Sequence, residues 1–305
     1  MTDIPSAILN RKGARTTAAV SAEVRELLNA GRIESISLCE WLVVDHGRLA
    51  ENVLPEMGLE AAIEPIRETL QRSEKLTALK QTLAVGSVLA RVLTAEKKYQ
   101  KAIRSLQKHS SDSVRSWGCM VIGQRTSASL ADRLEAMRPF ASDSNMGVRE
   151  MAWMAVRDHI AADLDEAFRV LSDWVLDSDE RIRRFATEST RPRGVWCSHI
   201  ARLREEPELG LPLLTPLKSD PSKYVRDSVA NWLNDASRTQ PQFVRQIAEQ
   251  WLKESPTRET KLIVQRATRT LRKAGKTQDS EASAPVKTKA AASTAKKTRS
   301  KRTSK

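Results

Sequence analysis

Aromatic residues and glycine are scarce in this chain of 305 residues, which holds two Tyr, four Phe and 11 Gly. That scarcity excludes an all-β architecture, which leans on aromatic strands and glycine turns. Cys39, Cys119 and Cys197 are an odd set without CxxC spacing, so neither a disulfide framework nor a thiolate metal site is expected. The four His are scattered without metal-ligand spacing, and no Gly-rich phosphate loop is present. No metal or cofactor is therefore expected, and phosphoryl transfer is disfavoured. The chain also lacks an apolar stretch of membrane-spanning length and the apolar core of a signal peptide. The expectation is a cytoplasmic protein with reduced, buried thiols and no membrane partner.

In place of these features stand helix formers and positive charge. Ala, Leu, Arg and Glu dominate, and the formal net charge is +13. Such a balance speaks of partners rather than fold, and a polyanion is the obvious one. The charge is uneven. Residues 287–305 hold eight basic and no acidic residues, Lys296 and Lys297 among them. This composition cannot bury enough apolar surface to offset its ordering entropy, so 276–305 reads as a disordered tail along phosphates. The alternative is a solubilising tail without a target. Residues 1–19 read as a flexible N-terminal arm carrying Arg11, Lys12 and Arg15.

Between these ends, over 20–275, lies a repeat. It surfaces as Ser110-Ser-Asp-Ser-Val114-Arg115, Asp143-Ser-Asn-Met-Gly-Val148-Arg149, Asp177-Ser-Asp-Glu-Arg-Ile182-Arg183 and Asp220-Pro-Ser-Lys-Tyr-Val225-Arg226. The aliphatic-Arg pair recurs after 34, 34 and 43 residues. Each unit places a polar turn before an apolar helix, with another amphipathic helix following, which is the pattern of a HEAT-like α-solenoid. The turn Asp or Ser is expected to cap the second helix. With the Arg as position zero, core residues fall at −1, +2, +3, +6 and +7: Val148, Met151, Ala152, Ala155 and Val156; then Ile182, Phe185 and Ala186; then Val225, Val229, Trp232 and Leu233.

Three carboxylates fall outside that set. Glu150, Glu188 and Asp235 sit at +1, +5 and +9 on successive second helices, within roughly 80° of one another on the face away from the core. Second helices line the concave binding surface of such solenoids. The expected groove is otherwise basic, with Arg149, Arg183, Arg191, Arg193 and Arg226 nearby. Acids in a polyanion groove need a reason, either catalysis or plain pairing with neighbouring Arg. Trp117 and Trp232 occupy core positions, whereas Trp153 lies one turn from Glu150 and is, with Trp196, a candidate base-binding residue. Trp196 follows Pro192 and Gly194, where the helix must stop and an indole can stand at the groove rim. A packing role is the alternative for both.

The run Ile182-Arg-Arg-Phe-Ala-Thr-Glu188-Ser-Thr-Arg191-Pro192-Arg193-Gly-Val-Trp196 resembles the VRRxxSEGTRPRxPW element of AlkC-type DNA alkylation repair glycosylases. Asp220-Pro-Ser-Lys-Tyr-Val-Arg-Asp-Ser-Val-Ala-Asn231-Trp-Leu-Asn234-Asp235 resembles that family's DPSxYVRxSVANxLND. A looser likeness, through Leu28-Asn-Ala-Gly-Arg-Ile-Glu34 and Leu42-Val-Val-Asp45, extends the match to about residues 25–273. Two departures stand out: Gly194-Val195 replaces an apolar-Pro pair, and the basic tail stands where some relatives carry an immunoglobulin-like domain.

The resemblance implies a HEAT-like fold and hydrolysis of the N-glycosidic bond of cationic bases such as 3-methyladenine in double-stranded DNA. It carries catalytic roles onto Glu188, Asp235 and, through a shorter match, Glu150, and a base-binding role onto Trp196. The chemistry is consistent: an alkylated purine is a good leaving group, and a carboxylate stabilises the oxocarbenium-like sugar. An indole face favours a cationic base, by about 0.5–2 kcal/mol. A monomer is expected. The rival readings are a non-catalytic HEAT scaffold binding DNA or a protein, and an RNA-binding solenoid.

Overall fold

The computed structural model describes residues 4–72, 76–93, 96–194 and 196–273, all of the regular structure among them helical. Short helices open the chain: α1 (Ser6–Leu9), α2 (Ala22–Asn29), α3 (Leu38–Trp41), α4 (His46–Val53) and α5 (Ile63–Gln71). The repeats follow as α6 (Ala78–Val92), α7 (Glu96–Gln107), α8 (Asp112–Gly123), α9 (Leu130–Ala141), α10 (Met146–Ala162), α11 (Leu164–Trp174) and α12 (Glu180–Ser189). The last two units contain α13 (Ala201–Glu205), α14 (Leu211–Leu214), α15 (Lys223–Ala236), α16 (Pro241–Glu254) and α17 (Arg258–Ala267). The second helices stack in order, α6 on α8, α8 on α10, α10 on α12, α12 on α15 and α15 on α17. Each rests on its own first helix, so one apolar core runs through the repeats.

The repeated Asp and Arg turn out to build the joints of this stack. In three units the leading Asp accepts a backbone N–H two residues on: Asn145 to Asp143 (2.8 Å), Asp179 to Asp177 (2.7 Å) and Ser222 to Asp220 (2.7 Å). The helix cap is then the residue at that second position, with Asn145, Asp179 and Ser222 accepting the first free N–H groups. The Arg reaches back to the turn's own carbonyls in every unit. Arg115 Nη1 donates to His109 and Ser110, Arg149 to Asp143 and Ser144, Arg183 to Asp177 and Ser178, and Arg226 to Asp220 and Pro221. Two of them also clasp the Asp of the next unit through paired hydrogen bonds, Arg115 with Asp143 and Arg183 with Asp220.

The core register agrees with the helical periodicity. All the expected positions are buried except Ala155, which is half-buried. Gly86 of α6 lies so close to α8 that a Cβ there would collide with Met120.

Residues 4–19 depart from the expected flexible arm. Ile8 enters the core, and Arg11 pairs with the buried Glu40 at 2.7 Å while donating to the carbonyls of Ile8 and Glu34. A buried carboxylate needs a partner, and Arg11 supplies it, so this guanidinium is not available to phosphates. The basic tail, 276–305, lies outside the described residues.

Candidate active site

The spacing of the aliphatic-Arg pair lengthens from 34 to 43 residues between α12 and α15, and the structure shows where the extra chain goes. Pro192 follows the end of α12 closely, and the chain crosses as a loop to α13 instead of turning directly into the next helix. Arg157 of α10 holds that loop. Its side chain is fully buried and donates to the carbonyls of Ser189 (2.9 Å), Arg191 (2.6 Å) and Ser198 (3.0 Å).

The three carboxylates meet here, joined by two arginines in an alternating chain. Glu150 and Arg184 share the +1 position on neighbouring helices, which sets Glu150 Oε1 2.7 Å from Arg184 Nη1. Arg184 reaches Glu188 one turn along its own helix, at 3.5 Å. Glu188 Oε1 accepts from Arg191 Nη1 (2.8 Å), and Arg191 grips Asp235 Oδ2 through Nε (2.8 Å) and Nη2 (2.7 Å). With all groups ionised, three acids against two guanidiniums leave the cluster one negative charge.

Burial separates the acids. The periodicity predicts the open face for all three, yet Glu188 is only 5% exposed and Asp235 7%. Ser228 on the neighbouring second helix and Arg191 lie against Glu188, and Arg191 also lies against Asp235, while Glu150 stays partly open. Ser228 completes the enclosure. It occupies +2 on α15, a core position, receives a hydrogen bond from Thr187 (2.8 Å) and donates one to Glu188 Oε2 (2.7 Å). Both Glu188 oxygens are therefore engaged. Asp235 differs: Oδ2 is held by Arg191, and Oδ1 accepts no hydrogen bond among the described residues.

The two acids also titrate in opposite directions. Burial works to raise the Glu188 pKa, but Arg184, Arg191 and the Ser228 hydroxyl outweigh it and hold Glu188 below the ordinary glutamate value. Burial pushes Asp235 up, and the pull of Arg191 does not cancel it. A carboxylate with a raised pKa and a free oxygen suits proton acceptance and charge stabilisation; one held ionised by hydrogen bonds suits a fixed field.

Trp196 stands 73% exposed on the loop that carries Arg191. Trp153 does not. Only 5% of it is exposed, and its Nε1 donates to Glu150 Oε2 at 2.9 Å, so it packs and steers the acid rather than offering a face. Residues 79–271 match the family described as DNA alkylation repair enzyme.

The chain belongs to this family.

Among solved structures, the alkylpurine DNA glycosylase AlkC of Pseudomonas fluorescens, bound to DNA containing an abasic site analog, superposes with a TM-score of 0.60 and 24% identity. That match covers 85% of this chain and 67% of the other. AlkD2 of Streptococcus mutans superposes with a TM-score of 0.55 and 21% identity, covering 70% of this chain and 98% of its own. These likenesses show the fold. The uncharacterized protein YhaZ of Bacillus subtilis (strain 168) is 41% identical over 121 residues, 40% of this chain. The match spans 33% of that curated relative's length.

The DNA-contact expectations for this alkylation repair family member divide. Arg149, Arg183 and Arg226, expected at phosphates, instead spend their guanidiniums on turn carbonyls and, for Arg183, on Asp220. Arg149 further bonds the Tyr224 hydroxyl (3.1 Å) and lies over its ring, which Arg184 also approaches, 4.7 Å from the centroid. Arg191 belongs to the carboxylate chain. Arg193 remains: it makes no hydrogen bond or ion pair among the described residues, and its buried Nε has no partner. Lys296 and Lys297 lie outside the described residues. Among the described residues no group of His, Cys, Asp and Glu is arranged to hold a metal, and no helix is long and apolar enough to cross a membrane.

Sequence reasoning missed Arg157, Arg184, Ser228 and Tyr224. Two signals were available. Ser228 breaks the apolar register at a core position, and Arg184 shares Glu150's position on the next helix with the opposite charge.

Proposed function

We propose that the protein is a DNA glycosylase that releases cationic alkylated purines, of the 3-methyladenine or 7-methylguanine type, from duplex DNA. The carrying observation is a buried Asp235 with one oxygen fixed by Arg191 and the other, Oδ1, without a hydrogen bond among the described residues. The C1′–N bond breaks with its electron pair passing to the ring, which neutralises the leaving base. Water adds at C1′ and loses a proton, for which Asp235 is the acceptor. Asp235 and the ionised Glu188 field stabilise the oxocarbenium-like sugar. Because the base already carries the positive charge, the reaction needs neither metal nor cofactor. Trp196 offers its indole face to the cationic base. Glu150 acts through Arg184, keeping that guanidinium from quenching Glu188 completely. Arg193, Lys296 and Lys297 contact the backbone, and the protein works as a monomer in the cytoplasm on nucleoid DNA.

The test is release of free base from methylated duplex DNA by the full chain beside Asp235→Asn and Glu188→Gln. Wild type liberates base, and each variant loses about 10²–10³-fold in rate while still binding DNA. If wild type binds DNA but releases nothing, the carboxylates serve only their arginines and the protein is a binding scaffold.

A further inference from the structure

The end of α15 gathers more positive charge than its acids balance. Arg191 is taken up by Glu188 and Asp235, and Arg266 is paired with Asp227 at 3.0 Å. Two further guanidiniums are not so matched. Arg238 projects, exposed, from the turn that closes α15, its backbone N–H donating to the Asp235 carbonyl at 3.4 Å. Arg269 is half-buried, and its hydrogen bond runs to a carbonyl, that of Arg266, at 3.2 Å. Neither makes an ion pair with a carboxylate among the described residues.

Their position is built rather than incidental. Thr270 donates through both its backbone N–H (3.3 Å) and its hydroxyl (3.0 Å) to Asn234 Oδ1, and Asn234 is the neighbour of Asp235. This pins the helical turn over 269–273 against the end of α15 beside the carboxylate. Burial and the charges of Arg266, Arg191 and Arg238 all lower the proton affinity of Arg269, with Asp235 opposing them. Like charges that the fold holds together, with the neighbouring Asp235 already committed to Arg191, form a site for an anion. A guanidinium fork matches the paired oxygens of a phosphodiester.

We infer that Arg238 and Arg269 bind a backbone phosphate of duplex DNA next to the nucleotide presented to Asp235. The inference rests on the proposed reading that this face holds DNA. It also explains how a stack whose repeated arginines are consumed by its own turns can grip a polyanion. The phosphate fixes the strand by its backbone, so this grip sets register without reading sequence.

The experiment measures binding of the full chain to an undamaged duplex by fluorescence anisotropy across a salt series. It compares wild type, Arg238→Ala/Arg269→Ala, Arg238→Glu, and Arg245→Ala as a control on the exposed side of α16. Both site variants reduce the slope of log affinity against log salt by about 1, the change expected when one phosphate is no longer neutralised. Arg245→Ala keeps the wild-type slope. Equal slopes for wild type and the site variants overturn the inference, as does an equal fall in the control. Because Arg238 is exposed, Arg238→Glu reports even if the double variant does not fold. Base release is not needed for this readout, so failure of the glycosylase reading and failure of the phosphate site are told apart.

Discussion

Helices α8 and α12 are the same element of the same repeat, placed two units apart, yet one is inert and the other carries the site. Both start after a polar turn, and both hold an Arg that reaches back to that turn's carbonyls and forward to the next unit's Asp. Beyond that Arg they diverge. At +1 and +5, α8 has Ser116 and Met120, both buried, with Met120 pressed against Gly86. At the same positions α12 has Arg184 and Glu188. The Asp–Arg joint thus builds the stack, and the residues one and five places further on decide whether a helix only packs or offers charge. Neighbouring helices can close on α8 because beyond Arg115 it carries no charge. At α12 the charges must be satisfied by one another, by Ser228 and by a loop nine residues longer than the repeat needs.

Breaking the shared part should have the largest effect. Asp220→Ala leaves the half-buried Arg183 without its acid and is expected to cost about 2–3 kcal/mol in denaturant unfolding. Arg149→Ala, at a joint whose Arg makes no ion pair with the next Asp, should cost about 1–2 kcal/mol. Equal losses would mean that the Asp clasp adds nothing to the joint.

Glu188→Met makes α12 resemble α8 at +5. Base release should fall by about 10²–10³-fold while thermal unfolding stays cooperative. A variant that retained full activity would move the chemistry wholly onto Asp235.

The α8 side should instead show itself through acid. His46 is fully buried, accepts a hydrogen bond from Trp117 Nε1 at 3.1 Å, and has its pKa lowered to about 4 by burial. Between the ordinary histidine value of 6.5 and about 4 the unfolded chain binds the proton that the folded chain refuses, so stability falls as pH falls through that window. The shift corresponds to about 3 kcal/mol. Urea unfolding at about pH 7 and about pH 4 measures it, and His46→Leu should lose that share of the pH dependence. Glu188, with its pKa lowered, adds a loss only below the ordinary glutamate value of 4.5.

The smallest effect tests the ring between two guanidiniums. Tyr224→Leu removes the face that Arg184 lies against, worth about 0.5–2 kcal/mol, and should lower kcat more than it changes KM. Tyr224→Phe should retain most of the rate. If Leu and Phe behave alike, the ring does not position Arg184.

The sequence was informative wherever the signal was periodic and local. Val148, Ile182 and Val225 mark the core because a helix repeats its faces every few residues, whatever lies around it. Grouping Glu150, Glu188 and Asp235 followed from the same geometry. The recurring Arg was harder to read, since a basic residue in a polycation suggests phosphate. Its fixed place six residues after a turn Asp was the clue that it closes the turn instead. Arg157 carried no such clue. It follows the pattern of an ordinary arginine on an amphipathic helix, and only the return of residues 189–198 over α10 buries it.

The amino-acid sequence by itself determined the helices, their caps, their apolar faces and the repeat, because these depend on neighbours within a turn or two of chain. The tertiary structure decided which charges are satisfied: that Arg183 serves Asp220, that Glu188 has both oxygens held, and that Asp235 has one oxygen without a partner among the described residues. Those outcomes depend on which distant groups are brought within about 3–4 Å in a space closed to water. Desolvation and pairing are properties of that enclosed space, and a linear pattern does not encode them.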